Sequence, residues 1–153
     1  MAREPFPTWY FALAVVRRGD KFLLVHEAKH GQRWFLPAGG IEPGEEFIAG
    51  VKREVYEEAG IPVNLQGIIQ LEHTPYKDGT ARFRIVFLAE PADNTPPKQQ
   101  PDAESLEAAW FTLQEMVALP LRSPEVLVYC HYVARGGRVC PMNLLGQEGF
   151  IQV

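Results

Sequence analysis

Cysteine and long apolar stretches are scarce in this chain. Only two of its 153 residues are cysteines, Cys130 and Cys140, so we expect no disulfide framework and free thiols in a reducing compartment. No apolar run approaches the roughly 20 residues that cross a bilayer, and the N-terminus lacks the charged-then-apolar order of a signal peptide. These absences predict a cytoplasmic protein with no membrane partner.

An excess of positive charge is also missing. Lysine and arginine number 15 against 19 aspartates and glutamates, which gives a formal net charge of −4. The chain therefore has no general basic surface for duplex nucleic acid, and we expect none as a partner. A polyphosphate substrate is compatible with this charge, because bound metal ions supply positive charge locally.

The length suits a single domain over residues 1–153. Residues 1–8 hold two prolines and are expected to form a loose lead-in. The tail, residues 139–153, fits either a terminal strand or a segment that packs on a second copy of the chain. A homodimer is therefore one expectation.

Apolar patterns between these ends predict strands that alternate with helices. Strands are expected at 9–17, 21–26, 63–73, 81–90 and 108–111, with a hairpin between the first two and a bulge at Gly67. Helices are expected from Glu45 to Gly60, from Thr112 to Pro120 and from Ser123 to Arg135, the second of them starting with a capping box between Thr112 and Glu115. Arg82 and Arg84 are expected to face solvent, with phosphate contact as the alternative. The interleaved order predicts a layered α/β fold.

The first predicted helix carries an unusual concentration of acids. Glu54, Glu57 and Glu58 are spaced i, i+3, i+4, which puts three carboxylates on one face within a single turn. Each i,i+4 pair of like charges costs about 0.2–0.5 kcal/mol, and a hard divalent cation turns that repulsion into binding. Arg53 lies four residues before Glu57 and can bind it through two hydrogen bonds. The alternative is a solvated acidic face with one surface ion pair.

The fixed positions of this stretch fill the Nudix box, and the chain resembles the Nudix hydrolases. The matching residues are Gly39, Glu45, Arg53-Glu54-Val55, Glu57-Glu58 and Gly60-Ile61. The resemblance implies the Nudix fold, an α/β/α sandwich with a mixed β-sheet. It also implies an enzyme that uses Mg²⁺, with Mn²⁺ as a substitute, to hydrolyse a phosphoanhydride in a nucleoside diphosphate linked to another moiety. By the motif, Glu54, Glu57 and Glu58 match metal ligands, Glu45 a further acid near the metals, and Arg53 an orienting arginine.

Residues outside the acidic helix complete the predicted site. Gly39 and Gly40 let the backbone come close to a substrate. Trp34 and Phe35 either cover the core or line a pocket where a base stacks. Glu104 lies where the family sometimes has a general base on a later loop, although a surface acid is an equal alternative.

The substrate is open among several classes. Two further stretches resemble Nudix enzymes that act on oxidised guanine nucleoside diphosphates: 36–45, which reads LPAGGIEPGE, and 102–110, which reads DAESLEAAW. Pro75 instead favours an ADP-ribose or other nucleotide-sugar pyrophosphatase. A nucleotide-binding sensor with the same fold, and an interaction domain without metal dependence, are the alternatives from other classes.

Overall fold

The structure is a computed structural model that describes residues 2–152. Along the described chain the order is β1 (Thr8–Arg18), β2 (Lys21–Glu27), β3 (Trp34–Phe35), β4 (Ala38–Gly40), α1 (Phe47–Ala59), β5 (Val63–Pro75), β6 (Ala81–Pro91), β7 (Ser105–Thr112), α2 (Leu113–Met116), α3 (Glu125–Ala134) and a short 3-10 helix (Met142–Leu144). Each strand and helix predicted from the sequence is present, with ends shifted by a few residues.

The strands form a mixed sheet, as expected. β1 runs parallel to β6 from Thr8–Ala81 to Val16–Ala89, and β5 lies antiparallel on the far side of β6. β4 pairs antiparallel with β1. The predicted β1–β2 hairpin is confirmed, but the two strands pair only next to the turn and then diverge. Beyond that point β2 pairs with β3 and β7 and forms a second part of the sheet beside α1.

Two helices cover opposite faces of the sheet and produce the α/β/α layers. Alternate residues of β1 enter different cores, because successive side chains of a strand point to opposite faces. The core on the α1 side contains Ala12, Ala14, Ile85, Phe87, Val51 and Val55. The core on the α3 side contains Leu13, Val15, Val86, Val126, Cys130 and Val133. The predicted fold class is thereby confirmed.

The acidic helix begins later than the sequence suggested. α1 starts at Phe47, and Glu46 is its N-cap in an extended conformation without a side-chain cap. Glu45 therefore lies before the helix, where its carboxylate turns toward Arg53. The helix end agrees with the prediction, since Gly60 has a left-handed φ of 74° and donates its N–H to the Tyr56 carbonyl.

Further local predictions are confirmed, and one is wrong. Thr112 and Glu115 form the predicted capping box at the start of α2, and the β5–β6 register shifts between Leu65 and Gly67. Arg84 does not face solvent. Its side chain is only 16% exposed and lies between two carboxylates, which a single strand pattern does not reveal.

The tail packs on its own chain. Cys140 bridges to Ile68 in a single antiparallel pairing, and Met142 and Leu145 pack against the α1-side core. Its packing on a second copy stays a prediction. Residues 2–7 form no helix or strand, and Met1 and Val153, which belong to the predicted lead-in and tail, lie outside the described residues. Among residues 2–152 no helix has both the length and the apolar character to span a membrane.

Candidate active site

Arg53 lies at the centre of the acidic residues and contacts most of them. Its Nε and Nη2 bind the two carboxylate oxygens of Glu45 at 2.7 and 2.9 Å. Its Nη1 binds Glu54 at 2.7 Å and Glu57 at 3.1 Å, and Nη2 also donates to the Gly40 carbonyl at 3.0 Å. In this conformation a guanidinium relieves the repulsion within the turn. The sequence anticipated only the pair with Glu57.

Glu45 binds Arg53 through both carboxylate oxygens. The hydrogen bonds from Arg53, with one from the Glu42 N–H, lower the pKa of Glu45 to about 2 and keep it ionised. Gly50 permits this approach of the loop to the helix, because a Cβ there would lie 2.8 Å from Glu45 Oε1. This geometry favours Glu45 as the residue that fixes Arg53, and its place near metal ions stays a prediction.

Glu54 packs directly against the backbone of Gly39. A Cβ on Gly39 would lie 2.0 Å from the Glu54 carboxyl carbon, so any larger residue displaces the carboxylate. Burial raises the pKa of Glu54; hydrogen bonding by Arg53 opposes the shift and the charges of Glu57 and Glu104 add to it. The glycine of the motif is therefore explained by close packing on an acid.

Glu58 is a half-buried acid of the helix. Burial raises its pKa to about 8, and the charges of Glu54, Glu27 and Glu104 act in the same direction. The N–H of Ala38 donates to its carboxylate at 2.8 Å and opposes the shift. Carboxylates from α1, β2 and the loop before β7 therefore influence one another at one end of β4.

The loop before β7 is fixed to the C-terminal end of α1 by residues that the sequence did not indicate. Lys98 Nζ donates to the Glu57 carbonyl at 2.5 Å and pairs with Asp102 at 2.6 Å. Ser105 is fully buried and donates to the Glu58 carbonyl at 2.6 Å. These contacts satisfy carbonyls that a helix end leaves free and bring exposed Glu104 close enough to affect the acids.

Glu27 is a further residue of the site that the sequence did not indicate. It ends β2 at an irregular register with β7 and is 9% exposed. Its Oε2 accepts from Arg122 at 3.0 Å, while Oε1 is buried without a hydrogen-bond partner among the described residues. A glutamate at the end of an apolar strand gives no sign of this role, since its neighbours are distant in sequence.

Trp34 and Phe35 do not present an exposed face for base stacking. They are 7% and 5% exposed and belong to the α3-side core. Trp34 stacks on His26 at 4.6 Å, and Arg122 covers Phe35 at 4.7 Å. The expectation that one of them lines a pocket is therefore wrong, and the alternative, covering the core, agrees with the structure.

The donor set fits a divalent cation after local rearrangement. Carboxylate oxygens are the ligands that hard cations prefer, and a cation would offset the cost that burial imposes on Glu54 and Glu58. Within residues 2–152, no three acidic, histidine or cysteine side chains are already arranged as a metal site. In the conformation described, Glu54 and Glu57 are instead bound by Arg53.

The sequence and the fold are similar to those of known proteins. A family model described as the NUDIX domain matches residues 9–132. The chain is 38% identical over 122 residues to 8-oxo-dGDP phosphatase NUDT18 of Homo sapiens, which covers 77% of this chain and 36% of that protein. It is 31% identical to phosphatase NudJ of Escherichia coli K12, with 86% of each covered. A solved NUDIX hydrolase from Nitrosomonas europaea superposes with a TM-score of 0.75 at 30% identity, covering 92% of this chain and 97% of that one.

The overlap with these relatives differs in extent. The chain spans little more than a third of the human relative, whereas it matches most of the bacterial phosphatase and nearly all of the solved bacterial structure. The matched segment includes the predicted acidic cluster of α1, the glycines of β4 and Glu104.

Proposed function

The chain belongs to the Nudix hydrolase family, and we propose on that premise that it hydrolyses a phosphoanhydride bond of an oxidised guanine nucleoside diphosphate. The family prediction is confirmed. That the chain is an enzyme of the pyrophosphohydrolase class is part of the proposal, supported by the named relatives. Nudix hydrolases generally use divalent metal ions. Mg²⁺, with Mn²⁺ as a substitute, is our proposal for this chain, on the ground that Glu54, Glu57 and Glu58 offer the carboxylate oxygens that these hard cations prefer.

The residues of α1 receive distinct proposed roles. Glu54, Glu57 and Glu58 would bind the cation, and Arg53, fixed by Glu45, would orient them. When bound, the cation neutralises phosphate charge and lowers the pKa of coordinated water. Glu57 is the most accessible of the three, with 39% of its side chain exposed. Glu58 is oriented by the Ala38 N–H.

Two loops complete the proposed chemistry. Gly39 and Gly40 would bring backbone close to the substrate, and Gly39 also leaves room for the Glu54 carboxylate. Glu104 is the proposed general base, supported by its charge effect on Glu54 and Glu58. It is exposed and therefore accessible to water.

The substrate proposal depends on one observation, the 38% identity with the human 8-oxo-dGDP phosphatase. Oxidised guanine nucleoside triphosphates are the second form of the same proposal. The test is a panel of 8-oxo-dGDP, dGDP, 8-oxo-dGTP, dGTP and ADP-ribose, each with Mg²⁺, with Mn²⁺ and with a chelator. The proposal expects the highest kcat/KM for 8-oxo-dGDP, and a higher value for ADP-ribose would replace it with the nucleotide-sugar alternative.

The same panel separates an enzyme from a sensor. A sensor would bind nucleotide in a thermal-shift assay without releasing product at any metal concentration. We also propose the cytoplasm as the compartment, supported by the free thiols of Cys130 and Cys140. A small nucleotide is the proposed partner.

A further inference from the structure

Exposed aromatic residues lie beside the Nudix box. Trp9 and Tyr76 are 52% and 45% exposed, although large aromatic side chains usually bury most of their surface. With Phe11 and Arg82 they line an open cavity of about 300 Å³, which we call the aromatic shelf. None of these residues belongs to the acidic cluster, so the proposed chemistry leaves them without a role.

The aromatic shelf is continuous with the box. A second cavity, of about 590 Å³, shares Trp9 and Phe11 with the shelf and is lined on its other side by residues 40–45. Both volumes are typical of small-molecule sites. Gly40 and Glu45, which line the second cavity, are two of the residues that bind Arg53. The second cavity therefore leads from the shelf to the loop whose residues hold Arg53.

Arg82 is available to a ligand. Its guanidinium lies 4.3 Å from the centre of the Phe11 ring, and among residues 2–152 it has no carboxylate within ion-pair distance. Arg84, two residues along β6, differs because Glu72 and Glu125 bind it. The planar donor group of Arg82 thus remains free beside flat aromatic surfaces.

We propose that the aromatic shelf binds the nucleobase of the substrate, stacked on Trp9 or Tyr76, with Arg82 donating to acceptors on the ring. The diphosphate then extends through the second cavity toward the box. The proposal rests on the function proposed above. A base suits the shelf because every base has a flat face for stacking, and a guanine base also has a carbonyl acceptor on its edge that a guanidinium can bind.

Two variants test the shelf through binding rather than chemistry. Arg82→Gln and Trp9→Leu are expected to raise KM for a nucleoside diphosphate by roughly tenfold to a hundredfold while kcat changes little. Inhibition by inorganic pyrophosphate, which lacks a base, should be unchanged in both. Arg17→Gln is the matched control, because Arg17 also lies over a phenylalanine, Phe22 at 5.7 Å, at the far end of β1.

Tryptophan fluorescence gives a readout that needs no turnover. Trp9 is exposed, whereas Trp34 is buried and the half-buried Trp110 lines neither cavity, so guanosine should quench mainly Trp9, and Trp9→Leu should abolish that quenching. A chain that binds guanosine without hydrolysing any nucleotide would contradict the proposed function and keep the shelf.

Other outcomes overturn the shelf alone. Hydrolysis with KM unchanged in both variants, or quenching retained in Trp9→Leu, would place the base elsewhere. Concentration-dependent self-association that Trp9→Leu removes, without any effect of nucleoside, would show that the aromatic residues form a contact between copies of the chain.

Discussion

Two arginine-centred clusters of acids lie on opposite sides of the sheet, one on α1 and one between β5, β6 and α3. In the second cluster Arg84 binds Glu72 at 2.8 Å and Glu125 at 2.7 Å, and the Tyr129 hydroxyl donates to Glu72. In the first, Arg53 binds three acids, and the half-buried Glu58 has no contact with it among the described hydrogen bonds.

The pKa shifts separate the two clusters. Burial raises the pKa of Glu72, but hydrogen bonds from Arg84 and Tyr129 outweigh burial and leave it below the usual value. Burial raises the pKa of Glu58 to about 8, and neighbouring acids reinforce the shift. In the cluster around Arg84, hydrogen bonds offset the cost of burying the acid, and the cluster stabilises the fold. In the α1 cluster the cost of burying Glu58 is not offset, as expected of a site that binds a cation.

The largest effect is expected when an acid is neutralised in the α1 cluster. Glu57→Gln should lower turnover roughly 10²- to 10³-fold, because the site loses a proposed ligand and several kcal/mol of charge stabilisation. Glu125→Gln, the same change in the other cluster, should largely keep turnover. Initial rates on the most active nucleotide of the panel measure both, and equal losses would erase the distinction between the clusters.

A methyl group on Gly39 should separate activity from folding. Gly39→Ala is expected to lower turnover about tenfold to a hundredfold, because its Cβ displaces the Glu54 carboxylate. The end of a flexible side chain can move, so the melting temperature should change little. Gly40→Ala is the comparison, since its Cβ would meet Phe11 at an ordinary 3.8 Å and should cost less activity. Unchanged turnover in Gly39→Ala would show that the position of the Glu54 carboxylate does not matter for the reaction.

Removal of the central arginine should mainly lower stability in the cluster around Arg84 and mainly lower turnover in the cluster around Arg53. Arg84→Gln leaves two partly buried acids without their cation and should lower the free energy of unfolding by about 1–3 kcal/mol. Arg53→Gln should lower the free energy of unfolding less than Arg84→Gln does, because the Glu57 side chain reaches solvent. It should lower turnover more. Urea denaturation with parallel rate measurements tests this, and a larger loss of stability in Arg53→Gln would reverse the assignment.

The smallest expected effect is on stability in acid. Because the folded-state pKa of Glu72 is lowered, its stabilisation is present above the usual glutamate pKa near 4.3 and is lost as pH falls through the folded value. Glu72→Gln should therefore flatten the decline in unfolding free energy below about pH 5, by less than about 1.4 kcal/mol per pH unit.

The control for this experiment is Glu107→Gln, an exposed glutamate, which should leave the acid dependence as it is. Glu58 should act with the opposite sign in metal-free protein, where its raised pKa makes stability fall as pH rises toward 8. If neither glutamate affected how the unfolding free energy depends on pH, the proposed difference between the two clusters would be contradicted.

Local signals in the sequence predicted the structure well wherever neighbours in sequence decide it. The left-handed Gly60, the Thr112 capping box and the alternating strands follow from short-range chemistry. Family membership followed from the spacing of residues within the box, and α1 places three of them, Glu54, Glu57 and Glu58, within one turn.

Long-range contacts decide what the sequence missed. Lys98 reaches the Glu57 carbonyl across 41 residues, and Arg122 pairs with Glu27 across 95. Arg84 was expected in solvent, but its partners lie on β5 and α3, and the alternation of residues along β6 carries no information about those elements. Trp34 is buried by Phe111 and His26 rather than by its own neighbours. Such pairings exist only after the layers assemble.

Calorimetric titration of Mn²⁺ and Mg²⁺ tests the central claim most directly, with wild type, Glu57→Gln and Glu125→Gln compared under identical conditions. We expect saturable uptake by wild type and by Glu125→Gln, and greatly weakened uptake by Glu57→Gln. Absence of uptake by wild type, or equal uptake by Glu57→Gln, would contradict the assignment of the α1 cluster as a cation site.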